Sequence, residues 1–218
     1  KHVWNRIPDE VRRKVVKLDA TLLHSELAII EGQLFEIIAR QARLKAERDG
    51  DVEITYGDEL RKLATSNDDV KDLIEGQTRL FTARQVSLAE EISQLEERVK
   101  QVLNQIKGTE VQLTSVKRQR ALILHDLLGQ EELLGQGLTQ AAQVSTLQRE
   151  EASLSGRIGE LEAIIAQAHG QIAEIEISIL RLKSAIREEA ITTLRDLQYS
   201  ELGLTATAAV ITRAHITT

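Results

Sequence analysis

Apolar residues recur every seven positions along two long stretches of this chain, and this repeat limits the possible folds more than any other feature. In an α-helix, such spacing gathers the apolar side chains into one stripe that has to be buried against another helix, so it predicts coiled-coil packing. The later stretch has five isoleucines in one register, at Ile158, Ile165, Ile172, Ile179 and Ile186. Its companion core positions are Leu147, Leu154, Leu161, Ala168, Ile175 and Leu182.

The two stretches fit one another when residues whose numbers sum to 274 face each other. Leu113 then meets Leu161, Val102 meets Ile172 and Leu95 meets Ile179. The centre of this register is Gly137, where glycines interrupt the helical pattern. Because turn chemistry and core pattern agree, the sequence predicts an antiparallel hairpin within one chain. A parallel homodimer is the alternative, since Ile and Leu at these positions also suit two-stranded parallel pairing.

Glycines, cap residues and changes of pattern divide the chain into seven segments. In chain order we predict a β segment (1–18), a first helix (19–49), a connector (50–67), an ascending hairpin helix (68–134), the hairpin tip (135–138), a descending hairpin helix (139–202) and a returning β segment (203–218). Asp19 or Thr21 is the expected N-cap of the first helix, and Gly50 its C′ residue. The predicted fold class is predominantly all-α.

Composition and charge exclude several functional classes. Only 2% of residues are aromatic, which favours an extended Leu, Ile and Ala interface over a globular core. The net charge of −6 disfavours nucleic acid as a partner. Five scattered histidines form no metal-binding spacing, and we find no phosphate loop or activated nucleophile. The sequence therefore predicts neither an enzyme nor a cofactor or metal site.

Two charged residues occupy core positions of the predicted hairpin. Arg120 falls opposite Leu154, and Glu151 falls opposite Ile123 in the adjacent layer. A pair between Arg120 and Glu151 would set the register of the hairpin, at some cost in stability.

The run from Arg43 to Gly50, RLKAERDG, resembles the RLxAERDG segment of HlyD-type membrane fusion proteins. These are periplasmic adaptors of type I secretion, and the similarity is to the branch that exports proteases and lipases. Residues 28–34, 74–81 and 187–189 resemble the same family, so the resemblance covers nearly the whole chain. Residues 16–19 and 212–216 resemble the places where a split lipoyl-like domain leaves and rejoins the hairpin, which implies that both β segments are lipoyl-like.

The resemblance implies a periplasmic coiled-coil hairpin that bridges an inner-membrane ABC transporter and a TolC-like outer-membrane channel. It also implies a homo-oligomeric ring around an exported protein substrate. The anchor in the inner membrane is expected to lie in a segment absent from this chain. The alternative from the heptads alone is a generic homodimeric coiled-coil scaffold or tether.

The resemblance further implies that the hairpin tip docks on the outer-membrane channel. The candidate docking residues are Leu133, Leu134, Gly137, Leu138 and Thr139. Adaptors of this superfamily resemble one another in an Arg, Leu and Ser or Thr triad around the turn. Thr139 and Leu133 match its last two members, whereas the Arg position falls near Gly129, where no Arg is present. Thr139 is also the expected N-cap of the descending helix.

Overall fold

The computed structural model describes the backbone of residues 9–217 and the side chains of Glu10 and of residues 21–213. Four helices follow one another: α1 (Asp9–Asp49), α2 (Asp58–Leu63), α3 (Asp68–Gly135) and α4 (Ala141–Thr217). The described part of the chain contains no strand. The prediction of a predominantly helical chain with a long hairpin is thus confirmed, and α1 is an additional N-terminal helix.

The chain separates into two compact units, one of which contains Ala89–Arg181. In this two-helix unit, α3 and α4 bury their heptad stripes against each other. Val102, Ile106 and Ala168 form a buried cluster with Ile165 and Ile172 packed around it. The sum of 274 places Val102 with Ile172 and Ile106 with Ala168, so the packing agrees with the register read from the heptads.

The second unit takes in the described residues up to Leu88 and from Leu182 onward, and here α1 packs against α4. Ile37 and Leu44 of α1 form a buried cluster with Ala190, Leu194 and Leu197 of α4. In the sequence, the heptad spacing of α4 slips by four residues after Ile186. The slip turns the apolar stripe of α4 toward α1.

A second face of α1 packs against the connector and the start of α3. Ala39 is buried in one cluster with Tyr56, Leu60 and Val70. The phenol Oη of Tyr56 lies 3.1 Å from the carbonyl oxygen of Ile74. The connector therefore contains the short helix α2 and a buried tyrosine that bonds to α3.

The predicted lipoyl-like β segments at the two ends are also wrong where the structure describes them. Residues 9–18 belong to α1, and residues 203–217 belong to α4; residues 1–8 and Thr218 lie outside the described part. A helix satisfies its backbone hydrogen bonds within one segment, whereas a strand needs a neighbour. The first β segment was predicted from the strand-like alternation of lysines with apolar residues over 14–18. This run is too short to overcome the difference.

Helix ends differ from the sequence prediction at the start of α1 and agree at its finish. Because α1 begins at Asp9, neither Asp19 nor Thr21 is an N-cap. Gly50 has φ +76° and follows Asp49, the last residue of α1, so it is the C′ glycine that was expected. None of the described helices has a stretch both long and apolar enough to cross a membrane.

Candidate docking site at the hairpin turn

The turn between α3 and α4 is held by backbone hydrogen bonds. The amide of Leu138 donates to the carbonyl of Leu133 at 2.8 Å, and the amide of Gly137 donates to that of Leu134 at 3.0 Å. These two bonds are the Schellman arrangement, in which the C′ residue adopts a left-handed conformation. Gly137 has φ +73°, which an L side chain rarely adopts. The glycine at 137 is therefore required by the turn.

The five candidate docking residues fall into an exposed and a half-buried group. Leu138 is the most exposed of the apolar ones, with 70% of its surface accessible, and Leu133 is exposed at 37%. Leu134 and Thr139 are half-buried. The exposed side chain of Leu138 is available for contact with another molecule, whereas Leu134 is half-buried at a heptad core position of α3.

Thr139 does not have the capping role that we expected for it. Its hydroxyl donates to the side-chain oxygen of Gln130 at 2.9 Å, which links the turn back to α3. Because α4 begins at Ala141, Gln140 holds the N-cap position. Sequence reasoning also missed Val144, which is buried in the first turn of α4. Its signal was available, since Val144 lies two heptads before Ile158, in the register of the five isoleucines.

Arg120 and Glu151 are brought together by the hairpin. The Nε of Arg120 donates to Oε1 of Glu151 at 2.6 Å, and both side chains are partly buried between α3 and α4. The charges thus meet across the helix pair, beside the otherwise apolar core positions.

The RLKAERDG run builds a buried ionic cluster in the second unit, which we call the three-helix unit because the long helices α1, α3 and α4 all contribute to it. Arg43 donates to Glu47 at 2.6 Å, and the exposed fractions of these side chains are only 7% and 5%. Arg43 also donates to the side-chain oxygen of Gln77 on α3 at 2.8 Å. The second carboxylate oxygen of Glu47 is buried without a hydrogen-bond partner. This is the polar centre of the packing between α1 and α3.

Arg84 extends the cluster to α4. Its guanidinium lies 3.7 Å from Glu47 and 2.7 Å from Glu189. The hydrogen bond that Arg84 donates to Glu189, together with the nearby charge of Glu47, raises the pKa of Arg84. In addition, Arg187 of α4 donates to the carbonyl of Arg48 at 3.2 Å, near the end of α1. The RLKAERDG run, together with Arg84 and Arg187, thus holds α1, α3 and α4 together. No feature of its geometry suggests chemical reactivity.

No group of acidic or histidine side chains in the described part of the chain is arranged to hold a metal ion. The exposed leucine at the turn can make an apolar contact with another molecule. The ionic cluster of the three-helix unit can hold its helices in place. Neither supplies a nucleophile with a base.

Comparison with known proteins identifies the family. Residues 23–209 match the family model described as AprE, long alpha-helical hairpin. The chain is 37% identical over 159 residues to the type I secretion system membrane fusion protein PrsE of Rhizobium meliloti (strain 1021). That match covers 73% of this chain and 36% of PrsE, so the chain spans about a third of that relative's length.

A solved structure has the same fold. The soluble domain of LipC, a membrane fusion protein of a type I secretion system, superposes with a TM-score of 0.83 at 21% identity, and the match covers 88% of this chain and 90% of that soluble-domain chain. The expected resemblance to such fusion proteins is confirmed. With a family model that covers most of its length, this chain belongs to the AprE family of long α-helical hairpins.

Proposed function

We propose that this chain is the helical hairpin of a periplasmic adaptor in type I protein secretion. The observation that carries the proposal is the 37% identity to PrsE over 159 residues. In this role the hairpin bridges an inner-membrane ABC transporter and a TolC-like outer-membrane channel, while copies of the adaptor form a ring around the exported protein. The adaptor is anchored to the inner membrane and is not an enzyme.

The intrachain packing supports an adaptor arm over a parallel homodimeric rod. The heptad stripes of α3 and α4 are buried against each other within one chain, as the cluster around Val102, Ile106 and Ala168 illustrates. A parallel partner would have to displace these contacts. The same hairpin leaves Leu138 exposed at the turn, where a docking contact is needed.

A chimera tests the proposal. The segment of PrsE that aligns with this chain is replaced by this chain, and secretion is measured in Rhizobium meliloti lacking its own PrsE. We expect export to be restored, because the chain supplies a hairpin of the same family. A chimera that is stable and reaches the periplasm but exports nothing would contradict the adaptor function.

The docking role of the turn is tested by Leu138→Asp. A charge in a desolvated contact should reduce secretion strongly, while folding is unaffected because Leu138 has few internal contacts. Leu202→Asp is the matched control, since Leu202 is a similarly exposed leucine of the three-helix unit, away from the turn. Equal secretion by the two variants would remove the turn from the mechanism.

We also infer that Arg120 and Glu151 set the hairpin register. Heptad packing permits sums of 267 and 281 as well as 274, but a slip of seven residues would place Arg120 beside Val144 or Ile158 in place of Glu151. An unpaired, partly buried charge is costly. Replacing both charged residues by Leu should retain the helices yet lower disulfide yield between cysteines at 102 and 172. An unchanged yield would show that other layers fix the register.

A further inference from the structure

The side of α3 that points away from the hairpin core is basic in the middle of the two-helix unit. We name this the basic face: it contains Lys100, Asn104, Lys107, Val111, Thr114, Arg118 and Ala121, all exposed. The face has three basic residues and no acidic one, and the whole helix from 98 to 120 has six basic residues and one acidic residue, a net charge of +5. Val111 is 68% exposed in the centre of this face.

The corresponding side of α4 has no charge along its centre and acidic residues on both flanks. This uncharged face contains Gly156, Gly159, Ala163, Ala166, Gly170, Ala173, Ile177 and Leu180, all exposed. Its flanks are Glu160, Glu162, Glu174 and Glu176. From 154 to 176 the helix has one basic and four acidic residues, a net charge of −3.

Packing within the chain does not account for the residues of the uncharged face. Leu180 is 64% exposed and Ile177 is 47% exposed. A Cβ added at any of its three glycines would meet nothing within 4 Å. Glycine in a helix interior costs up to about 1 kcal/mol relative to alanine. The face therefore bears large apolar side chains and glycines that give the isolated chain no benefit.

The two faces match each other level by level. Residues at the same level of the hairpin sum to 274, which puts Val111 level with Ala163 and Arg118 level with Gly156. Lys100 is level with Glu174, and Glu176 lies one half-turn away. Long basic side chains on one face therefore meet small residues on the other, with carboxylates beside them for their charged ends.

We propose that the uncharged face of α4 binds the basic face of α3 from a second copy of this chain, with both copies pointing the same way. The inference rests on the proposed function, in which adaptors assemble around an export path, and it names the surface that joins them. Because the two faces are different, the contact is heterologous, so repeated addition gives a ring or an open row, not a closed pair.

Existing ion pairs leave the charged groups available for this contact. Lys100 pairs with Glu97 but is 65% exposed. Glu162 pairs with Lys117, and Glu160 with Arg157, also in exposed positions. Exposed pairs of this kind are worth roughly 0–1 kcal/mol each, so exchanging them for contacts with a neighbour costs little.

Single-cysteine mixing tests the geometry. Val111→Cys and Ala163→Cys variants of the chain are purified separately and oxidised alone and together, because the native sequence has no cysteine. Their Cα atoms lie on opposite outer sides of two helices whose axes are roughly 8–10 Å apart, beyond disulfide reach within one chain. We expect a mixed 111–163 dimer, little dimer of 163 alone, and a ladder from the double variant.

Gln112→Cys is the matched control, since Gln112 is exposed at the same level but rotated by about 100° around α3. It should give far less mixed dimer with Ala163→Cys. Equal yields for 111 and 112, or no mixed dimer at high concentration, would overturn the proposal. A predominant 111–111 dimer would also overturn it, because that product is isologous.

Charge reversal provides an independent test of the same contact. Lys107→Glu with Arg118→Glu should weaken self-association at least about tenfold, measured by sedimentation equilibrium. A variant with Glu160→Lys and Glu174→Lys should fail likewise, whereas mixing the two variants should restore a dimer. If each variant associates like the original chain, the two faces are not the contact.

The outcomes separate this inference from the proposed function. A chimera that secretes normally with either face alone reversed would retain the adaptor role and remove this contact. A chimera that cannot secrete, while 111 and 163 still cross-link between copies, would retain the contact and remove the adaptor role.

Discussion

Replacing Glu47 by Ala should destabilise the chain far more than removing an exposed carboxylate. Glu47 lies between Arg43, which donates to it at 2.6 Å, and Arg84 at 3.7 Å. The side chain of Arg43 is itself only 7% exposed, so the substitution leaves a buried guanidinium without its carboxylate. Removing one partner of a buried pair typically costs about 3–5 kcal/mol. The residual bond from Arg43 to Gln77 places the expected loss near the lower end, about 3 kcal/mol.

Urea unfolding followed by circular dichroism measures this loss. Glu97→Ala is the control, because Glu97 makes an ion pair of similar length with Lys100 but is 61% exposed. Its removal should cost no more than about 1 kcal/mol. The urea midpoint of the three-helix unit should be lower in Glu47→Ala than in Glu97→Ala. The slope of the transition is compared separately from the midpoint.

A double variant distinguishes the attraction between Arg43 and Glu47 from the penalty of leaving one of them buried without its partner. Arg43→Met with Glu47→Met removes both buried charges, so it should recover most of the stability that Glu47→Ala loses. If Glu47→Ala instead costs less than about 1 kcal/mol, the cluster is not a structural centre and the reasoning fails. If the double variant is as unstable as Glu47→Ala, the ion pair itself stabilises the unit.

Two further predictions concern single positions. Burial raises the pKa of Tyr56, so the folded chain keeps the phenol proton to higher pH than the unfolded chain, and stability should fall as pH rises above about 10. That fall should be smaller in Tyr56→Phe and unchanged in Tyr199→Phe, whose ring is exposed, when urea midpoints are compared between pH 8 and 11. Gly137→Ala should cost about 1–2 kcal/mol because of its left-handed backbone, whereas Gly135→Ala, in the last turn of α3, should be neutral or stabilising by thermal melting.

The helical hairpin could be predicted because its two determinants are both local in sequence. Heptad spacing predicts which residues of a helix are buried, and Gly137 indicates where the chain reverses direction. Together they fixed the pairing of α3 with α4, which the packing around Val102 and Ile172 matches. The slip of the heptads after Ile186 was visible too, but its cause, contact with α1, is a tertiary one.

The second packing face of α1 was not predicted, although the sequence contains a signal. Phe35, Ala39, Ala42 and Ala46 are spaced by four, three and four residues, which is a helical stripe separate from the one containing Ile37. A buried Arg43 on this side contradicts the usual expectation for arginine. Its partner Glu47 lies four residues further along the same helix and could have been expected, but its partner Gln77 on α3 cannot be identified without the fold. Long-range polar partners are therefore the part of the fold that composition and periodicity miss.

The ends of the chain show the opposite error, in which a weak local signal was given too much weight. A five-residue alternation at 14–18 predicted a strand, yet these residues extend α1. β-structure depends on neighbouring strands to a degree that helices do not, so its short signals are the least transferable.

In the turn between α3 and α4, the groups that determine the conformation differ from the side chain proposed to contact another molecule, which makes the function testable. Its conformation depends on hydrogen bonds donated by the backbone amides of Gln136, Gly137 and Leu138 and on the glycine at 137. None of these involves the side chain of Leu138. An exposed leucine contributes little to the stability of the chain that bears it, and changes at such positions usually alter stability by less than about 0.5 kcal/mol. A loss of secretion in Leu138→Asp with unchanged melting would therefore report a contact with another molecule. A loss of secretion together with a loss of melting temperature would show instead that the leucine supports the turn, and the docking interpretation would fail.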